Sequence, residues 1–336
     1  MTMSFSTDVL TIDCAEEVRS IEEALREQVG RTLRRKGIVV GVSGGIDSSV
    51  VTALAVRSMG CERVVALFMP ERDSSPASLE LGKMLATHFG IAAVIEDMGP
   101  TLSAVGCYAR QDAAIRTVFP EYETAKGWTC KLTLPSILDG DRINVSQLTV
   151  RSPEGKERTS RMPPDAYRQL VAATNFKQRM RKMMEYYHAD RLGYAVAGTP
   201  NRLEYDQGFF VKQGDGAADV KPIAHLYKTQ VYQLAEYLGV PKVIRERPPT
   251  TDTFSMEQTQ EEFYFALPYD KMDVCLYGKN HGVPAGDVAK ALGMTQTQIE
   301  RVYHDIDSKR RTTHWLHTQP LFVQPVPEIS LENRGL

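Results

Sequence analysis

The chain has 336 residues, 42% of them hydrophobic and 24% charged, which supplies a sizeable core and excludes a disordered, collagenous or disulfide-stapled chain. Forty Lys and Arg against 42 Asp and Glu leave a formal net charge of −2, so no global basic field recruits nucleic acid or an anionic membrane surface. The length suggests two domains of ~150 residues, or one large α/β domain with insertions. No apolar run approaches the ~18 residues of a membrane span. The opening MTMSFSTDVLTID carries an acid where a signal peptide needs a basic region. Five cysteines, odd in number and with no CxxC, fit reduced thiols and a cytoplasmic location.

Val18, Ile21, Leu25, Val29 and Leu33 recur at helical spacing and predict an amphipathic N-terminal helix over 15–35. GIVVGV (37–42) reads as a buried strand, followed by a glycine-rich turn and a helix from about Ser49 to Met59, ended by Gly60. ERVVALFMP (62–70) predicts a second strand, 77–89 a second helix and IAAVIEDM (91–98) a third strand. Strands that alternate with helices and all read as buried predict an α/β fold built on a doubly wound parallel sheet. The rhythm breaks over 104–165, which reads as an insertion. Within it Ile143, Val145, Leu148 and Val150 alternate before the turn Ser152–Gly155, and Lys156–Arg161 would be the returning hairpin arm. A long helix over 165–188 and the strand GYAVAGT (193–199) resume the core pattern. Residues 226–316 are mostly helical, with a C-terminal helical region from about 260 and an extended, Pro-punctuated tail over 317–336. Together these predict one domain with an insertion.

The first strand runs directly into Gly41-Val42-Ser43-Gly44-Gly45-Ile46-Asp47-Ser48-Ser49 and then a helix. Adjacent glycines let the backbone turn close to a ligand, and successive amides at a helix N-terminus attract phosphate. Ser43, Ser48 and Ser49 add hydroxyls. Asp47 is out of place beside an anion unless it holds a cation that bridges to the phosphates. Neither GxxxxGK[ST] nor GxGxxG is present.

SGGxDSS after a first strand resembles the pyrophosphate loop of the N-type ATP pyrophosphatases, whose sheet is of the adenine nucleotide α-hydrolase type. The downstream half, TNFKQRMRKMMEYYHADRLGYAVAGTPNRLE (174–204) followed by QGFFVKQGDGAADVKPIAHLYKTQVYQLAEYLGVP, is similar to the ammonia-dependent NAD synthetases. That resemblance implies adenylation of the nicotinate carboxylate of deamido-NAD by ATP, then displacement of AMP by ammonia to give NAD. It implies that Gly41, Val42, Ser43, Gly44, Gly45, Ile46, Asp47 and Ser48 grip the ATP phosphates, with Thr199, Lys228 and Thr250 also at ATP. Asp47 and Glu204 would hold Mg²⁺, and Asp47 and Lys228 would be the catalytic pair. Arg179, Lys212, Asp219 and Lys309 would hold deamido-NAD. It also implies a homodimer.

Three positions depart from the family pattern: Pro200 in Pro200-Asn201-Arg202, Val211 where threonine is common, and Ser308 where histidine often precedes the lysine. Arg179 and Arg181 lie two apart on a helix, so at most one faces the site. Only 36 residues precede the first strong strand. Glutamine-dependent relatives carry an amidase domain there, so free ammonia is the expected nitrogen source, with a separate glutaminase as a candidate supplier. Amidation of another carboxylate is the alternative within enzymes. DVAKALGMTQTQIERVYHDIDSKRR (287–311) has a helix-turn-helix look and gives a remote DNA-binding alternative, although Asp305 and Asp307 fall in the would-be recognition helix.

Overall fold

In the computed structural model, residues 5–134, 146–250 and 253–327 are described. The first long helix, α1 (Cys14–Leu25), is capped by Asp13, whose carboxylate accepts from the amides of Ala15 and Glu16. It buries Val18, Ile21 and Leu25 and continues as a wider π-helical stretch through Thr32. Leu33, the last member of the predicted stripe, lies beyond it and is exposed.

β1 (Ile38–Gly41), α2 (Ile46–Met59), β2 (Val64–Phe68), α3 (Pro76–Phe89) and β3 (Ala92–Ile95) follow in alternation. α4 (Gly99–Ala104) and α5 (Cys107–Arg116) lead into β4 (Thr129–Thr133), β5 (Gln147–Arg151) and β6 (Glu157–Arg161). The core alternation resumes with α6 (Pro164–Leu192), β7 (Ala195–Ala197), α7 (Arg202–Gln207), α8 (Lys228–Tyr237) and α9 (Lys242–Arg245). α10 (Tyr269–Asn280), α11 (Ala285–Leu292) and α12 (Gln296–His317) complete the described helices.

The main sheet is parallel throughout, in the order β3-β2-β1-β7. Successive β1 residues face opposite cores, as a period-2 strand covered on both sides requires. Val40 packs with Val18, Val50 and Val231 of α1, α2 and α8, whereas Val39 packs with Leu102 of α4, Cys107 of α5 and Ala189 of α6. The chain leaves β1 for β2 on one side and later returns to β7 on the other. The carboxyl ends of β1 and β7 therefore flank a topological switch point, where open α/β sheets place their ligands.

Two local expectations need correction, and one strand was not legible in the sequence. α2 begins at Ile46 rather than about Ser49, so half of the glycine-rich segment is helix N-terminus instead of loop. β3 is not buried: it is the sheet edge, and Ile95 is 53% exposed. β4 carried too weak a pattern to be read from sequence, yet it forms an antiparallel sheet with β5 and β6. The hairpin around Ser152–Gly155 is as predicted, with Arg151 opposite Glu157. Leu148 and Val150 bury against Ile115, Phe119 and Leu170, while Ile143 and Val145 lie outside the described residues.

The helix-turn-helix look has a packing explanation. α11 ends at Gly293, in the left-handed region at φ 62°, and α12 buries Ile299, Val302 and Ile306. At the basic end of α12, Lys309 is bonded to Asp305 and to the Tyr264 carbonyl, and Arg310 forks onto Asp206. These two cations are occupied internally rather than displayed for phosphates. Among the described residues no helix is long and apolar enough to cross a membrane.

Candidate active site

Val42 extends the pairing of β1 by donating to the Leu67 carbonyl at 2.9 Å, after which the chain turns into α2. Gly44 sits at φ 74°, and a Cβ there would lie 2.5 Å from the Ser78 carbonyl oxygen of α3. A Cβ on Gly41 would lie 2.7 Å from Glu185 Oε1. Gly44 requires glycine for both conformation and close approach to backbone, whereas a side chain at Gly41 would have to displace the Glu185 carboxylate. Gly45 is the N-cap, so the amides that open α2 have no intrahelical acceptor and form an anion-receptive end. The Ser48 and Ser49 hydroxyls donate back to the Gly45 carbonyl at 3.1 and 2.8 Å, and Ser48 Oγ accepts from the Ser43 amide at 3.3 Å. These two serines therefore hold the turn; Ser43 is the exposed hydroxyl of the three.

Asp47, in the first turn of α2, pairs with Lys228 Nζ and accepts from Asn201 Nδ2 at 3.0 Å. Asn201 caps α7 reciprocally with Glu204. Its Oδ1 accepts from the Glu204 amide at 3.2 Å, and its own amide donates to Glu204 Oε2 at 3.2 Å. One fully buried asparagine thus joins the acid after β1 to the acid after β7 across the switch point. Lys228 is only 1% exposed and opens α8, whose first two amides donate to Asp273 at 3.2 and 2.6 Å. Burial would lower the Lys228 pKa, but the Asp47 and Glu204 charges reverse that and raise it. Glu204 is pushed up to about 8 by burial and by the neighbouring Asp47 charge, against the opposing pull of Lys228.

A cavity of about 470 Å³ opens over this group. Gly41, Val42, Ser43, Gly45, Ile46, Asp47 and Ser48 line it, as do Thr199, Glu204, Lys228 and Thr250. Gly44 does not, because it is turned against α3. Pro200 and Val211, two of the departures from the family pattern, are on the wall, and Ser308 is not. The sequence reading missed several cavity residues. Arg181, not Arg179, is the arginine of α6 that lines it, and Lys177, Lys182 and Arg247 add positive charge. Lys182 is paired with Glu185 at 2.5 Å, and Lys177 with Asp73 at 2.6 Å and Glu71 at 3.1 Å. Lys177, Arg181 and Glu185 recur at helical spacing on α6, a legible stripe that passes for ordinary surface charge until β1 is packed beneath it.

None of the four residues expected at deamido-NAD lines the cavity. Arg179 Nε donates to the Lys212 carbonyl at 3.2 Å, and Lys212 Nζ donates to the Trp315 and Thr318 carbonyls at 2.8 Å each. Asp219 Oδ2 accepts from the Val196 amide at 2.8 Å, and its Oδ1 from the Tyr186 hydroxyl at 3.3 Å. Lys309, its pKa lowered by burial against the pull of Asp305, bonds the Tyr264 carbonyl behind the cavity wall.

No cluster of three or more His, Cys, Asp or Glu side chains placed to hold a metal exists among the described residues. The available donor set is the Asp47–Glu204 pair. That set suits Mg²⁺, which keeps several waters and is bound through one or two carboxylates plus substrate phosphates. Burial raises the Glu204 pKa first and the Asp47 charge second; a cation between the two acids would relieve the second of these.

A family model for NAD synthase matches residues 17–123 and 143–315. The NH3-dependent NAD⁺ synthetase of Mesorhizobium japonicum is 62% identical over 95% of this chain and 100% of its own, and that of Rhizobium meliloti is 60% identical over 97% and 96%. In structure, the chain is similar to an NMN synthetase from Francisella tularensis (TM-score 0.62, 21% identity, 93% of this chain and 99% of that one). It is also similar to an NH3-dependent NAD synthetase from Campylobacter jejuni (TM-score 0.61, 20% identity, 94% and 100%). Those two likenesses, at their low identity, speak for the fold. The glycine-rich turn at the switch point, the two acids beside it and the extent of the sequence match agree: this chain belongs to the NAD synthase family.

Proposed function

We infer that the chain is an ATP-dependent ligase that amidates deamido-NAD with ammonia, giving NAD, AMP and pyrophosphate. The observation that carries this reading is the Asp47–Lys228–Asn201–Glu204 group set against the phosphate-binding turn in one cavity, in a chain 62% identical to a named NH3-dependent NAD⁺ synthetase. No nucleophilic side chain is required, because the substrate carboxylate attacks the α-phosphate. The first step brings two anions together and moves charge onto pyrophosphate. The amides at the start of α2 and the Lys228 ammonium are fixed before reaction and stabilise that charge without reorganising.

We assign Mg²⁺ to Asp47 and Glu204, where it would supply charge neutralisation for the phosphates. Thr199 and Thr250 take the nucleotide from the cavity wall. Arg179, Lys212, Asp219 and Lys309 are assigned to the part of deamido-NAD that extends beyond the cavity. In the second step ammonia, not ammonium, attacks the acyl-adenylate, in a site shielded from the water that would hydrolyse it. The reading includes a homodimer, a cytoplasmic setting consistent with five free cysteines, and a separate glutaminase as the ammonia source.

The test is product formation from deamido-NAD, ATP and Mg²⁺ with ammonium or with glutamine. NAD from ammonium alone is expected. Failure with deamido-NAD alongside amidation of nicotinate mononucleotide would move the substrate to another carboxylate.

A further inference from the structure

The stretch between residues 123 and 143, which the family model does not match, contains β4. One edge of β4 pairs with β5. The other edge holds the segment that leads from Thr253 to Tyr264. The Met256 amide donates to the Cys130 carbonyl at 3.0 Å, and the Cys130 amide donates to Ser255 Oγ at 3.0 Å. The Leu134 amide donates to the Glu262 carbonyl at 2.8 Å, and Gln258 Nε2 donates to the Leu132 carbonyl. Gln258 is 2% exposed, and Phe254 is buried with Phe119, Leu132 and Leu148 in the core of the inserted sheet.

The same segment forms one wall of the active-site cavity through Thr253, Phe254, Gln260, Phe263 and Tyr264. Gln260 Nε2 donates to Glu204 Oε1 at 2.9 Å, and buried Lys177 donates to the Thr253 carbonyl at 2.9 Å. A continuous line of directional bonds therefore runs from β4, through the Thr253–Tyr264 segment and Gln260, to one of the two acids over which the phosphates must sit.

We propose that β4 is a template for this wall, and that Gln258 and Ser255 are positioning residues that act on Glu204 through Gln260. β4 is then a working part of the active site, contributed by sequence that the family model does not match, while its partners β5 and β6 lie within the matched region. A hydrogen-bonded strand edge suits the task, since it fixes the backbone of the docked segment more tightly than apolar contact alone. The kinetic part of the test rests on the reaction proposed above.

The experiment is a double-mutant cycle on the full chain. Gln258→Ala and Ser255→Ala cut the side-chain bonds to β4 without removing a cavity residue, and Ser255→Thr keeps the hydroxyl. Gln260→Ala cuts the bond to Glu204. Gln258→Ala should lower kcat at least about tenfold, as remote misplacement of a catalytic group does. Ser255→Thr should retain the activity that Ser255→Ala loses. The pair Gln258→Ala/Gln260→Ala should be no slower than Gln260→Ala alone, because both act on one contact. Additive losses, or a wild-type rate in Gln258→Ala, overturn the proposal. Hydrogen exchange on the wild-type protein supplies a readout independent of any variant and of the reaction. The Met256 and Leu134 amides should exchange slowly and together, and rapid exchange at Met256 while the β4 amides stay protected also overturns it.

Discussion

Lys228→Met isolates the charge on which the site depends. The ammonium is 1% exposed and paired with Asp47, whose side chain is 16% exposed and keeps one other donor, Asn201. Removing one partner of a buried ion pair costs ~3–5 kcal/mol, and the residual exposure and the Asn201 bond place this case near the low end, at about 3 kcal/mol. For a chain of 336 residues that lowers Tm by about 4 °C, from an unfolding entropy of ~2.1 cal/mol/K per residue. The catalytic loss should be larger, because a preorganised donor at developing charge is worth ~10²–10³ in kcat. The assay pairs NAD formation at saturating ATP with a thermal melt of the same preparation. Adding Asp47→Asn to Lys228→Met should lower Tm by less than the sum of the two single changes, since the second change removes the charge that the first left unpaired. A Lys228→Met enzyme with kcat within about threefold of wild type would remove Lys228 from the mechanism, where a fixed donor should be worth ~10²-fold or more.

Asp273 gives a pH prediction. Burial pushes its carboxyl up to about 7, against the pull of the Thr229 and Lys228 amides and the Lys228 charge. An unfolded aspartate ionises near ~3.9, so the folded state binds the extra proton in between; stability is full below about pH 4 and declines by up to about 4 kcal/mol as pH rises through 7. Asp273→Asn should flatten that slope in urea titrations run from pH 4 to 8, and an unchanged slope would assign it to other groups. Gly44→Ala places a methyl group 2.5 Å from the Ser78 carbonyl at a positive φ, so it should raise the KM for ATP and lower Tm. Wild-type values for both would show that the turn adjusts freely. Cys61 is exposed while Cys107, Cys130 and Cys275 are buried, so a thiol reagent should label Cys61 first in the native protein. Labelling of Cys275 at a comparable rate would contradict its packing against α12.

The fold was legible wherever the apolar pattern was strong. The runs at 37–42 and 62–70 became central strands β1 and β2 because both faces of the parallel sheet are covered. IAAVIEDM (91–98) looks equally apolar, but residue type does not reveal that, among the described residues, no strand lies beyond β3. β4 hid because TCKLT has only two buried side chains, Cys130 and Leu132, and its partners are remote or lie on the docked segment. In the site, the glycine-rich turn was legible in the sequence itself, whereas the roles of Thr199, Glu204 and Lys228 were implied by the family resemblance; the cavity gathers Gly41–Ser48 and these three, except Gly44. Asn201 was unreadable as more than a helix cap, since its second bond, to Asp47, spans 154 positions of sequence. Lys182 and Gln260 carry no local signature either, and the α6 stripe that includes Glu185 passes for surface charge. Their placement depends on how α6 and the Thr253–Tyr264 segment pack over β1 and β7.

The most direct test of the central claim follows the oxygen. Adenylation by the substrate carboxylate predicts that deamido-NAD labelled with ¹⁸O in that carboxylate transfers one label to the phosphate of AMP on each turnover with ammonium, and none to pyrophosphate. Label in pyrophosphate or inorganic phosphate, or NAD formed with AMP unlabelled, would contradict it.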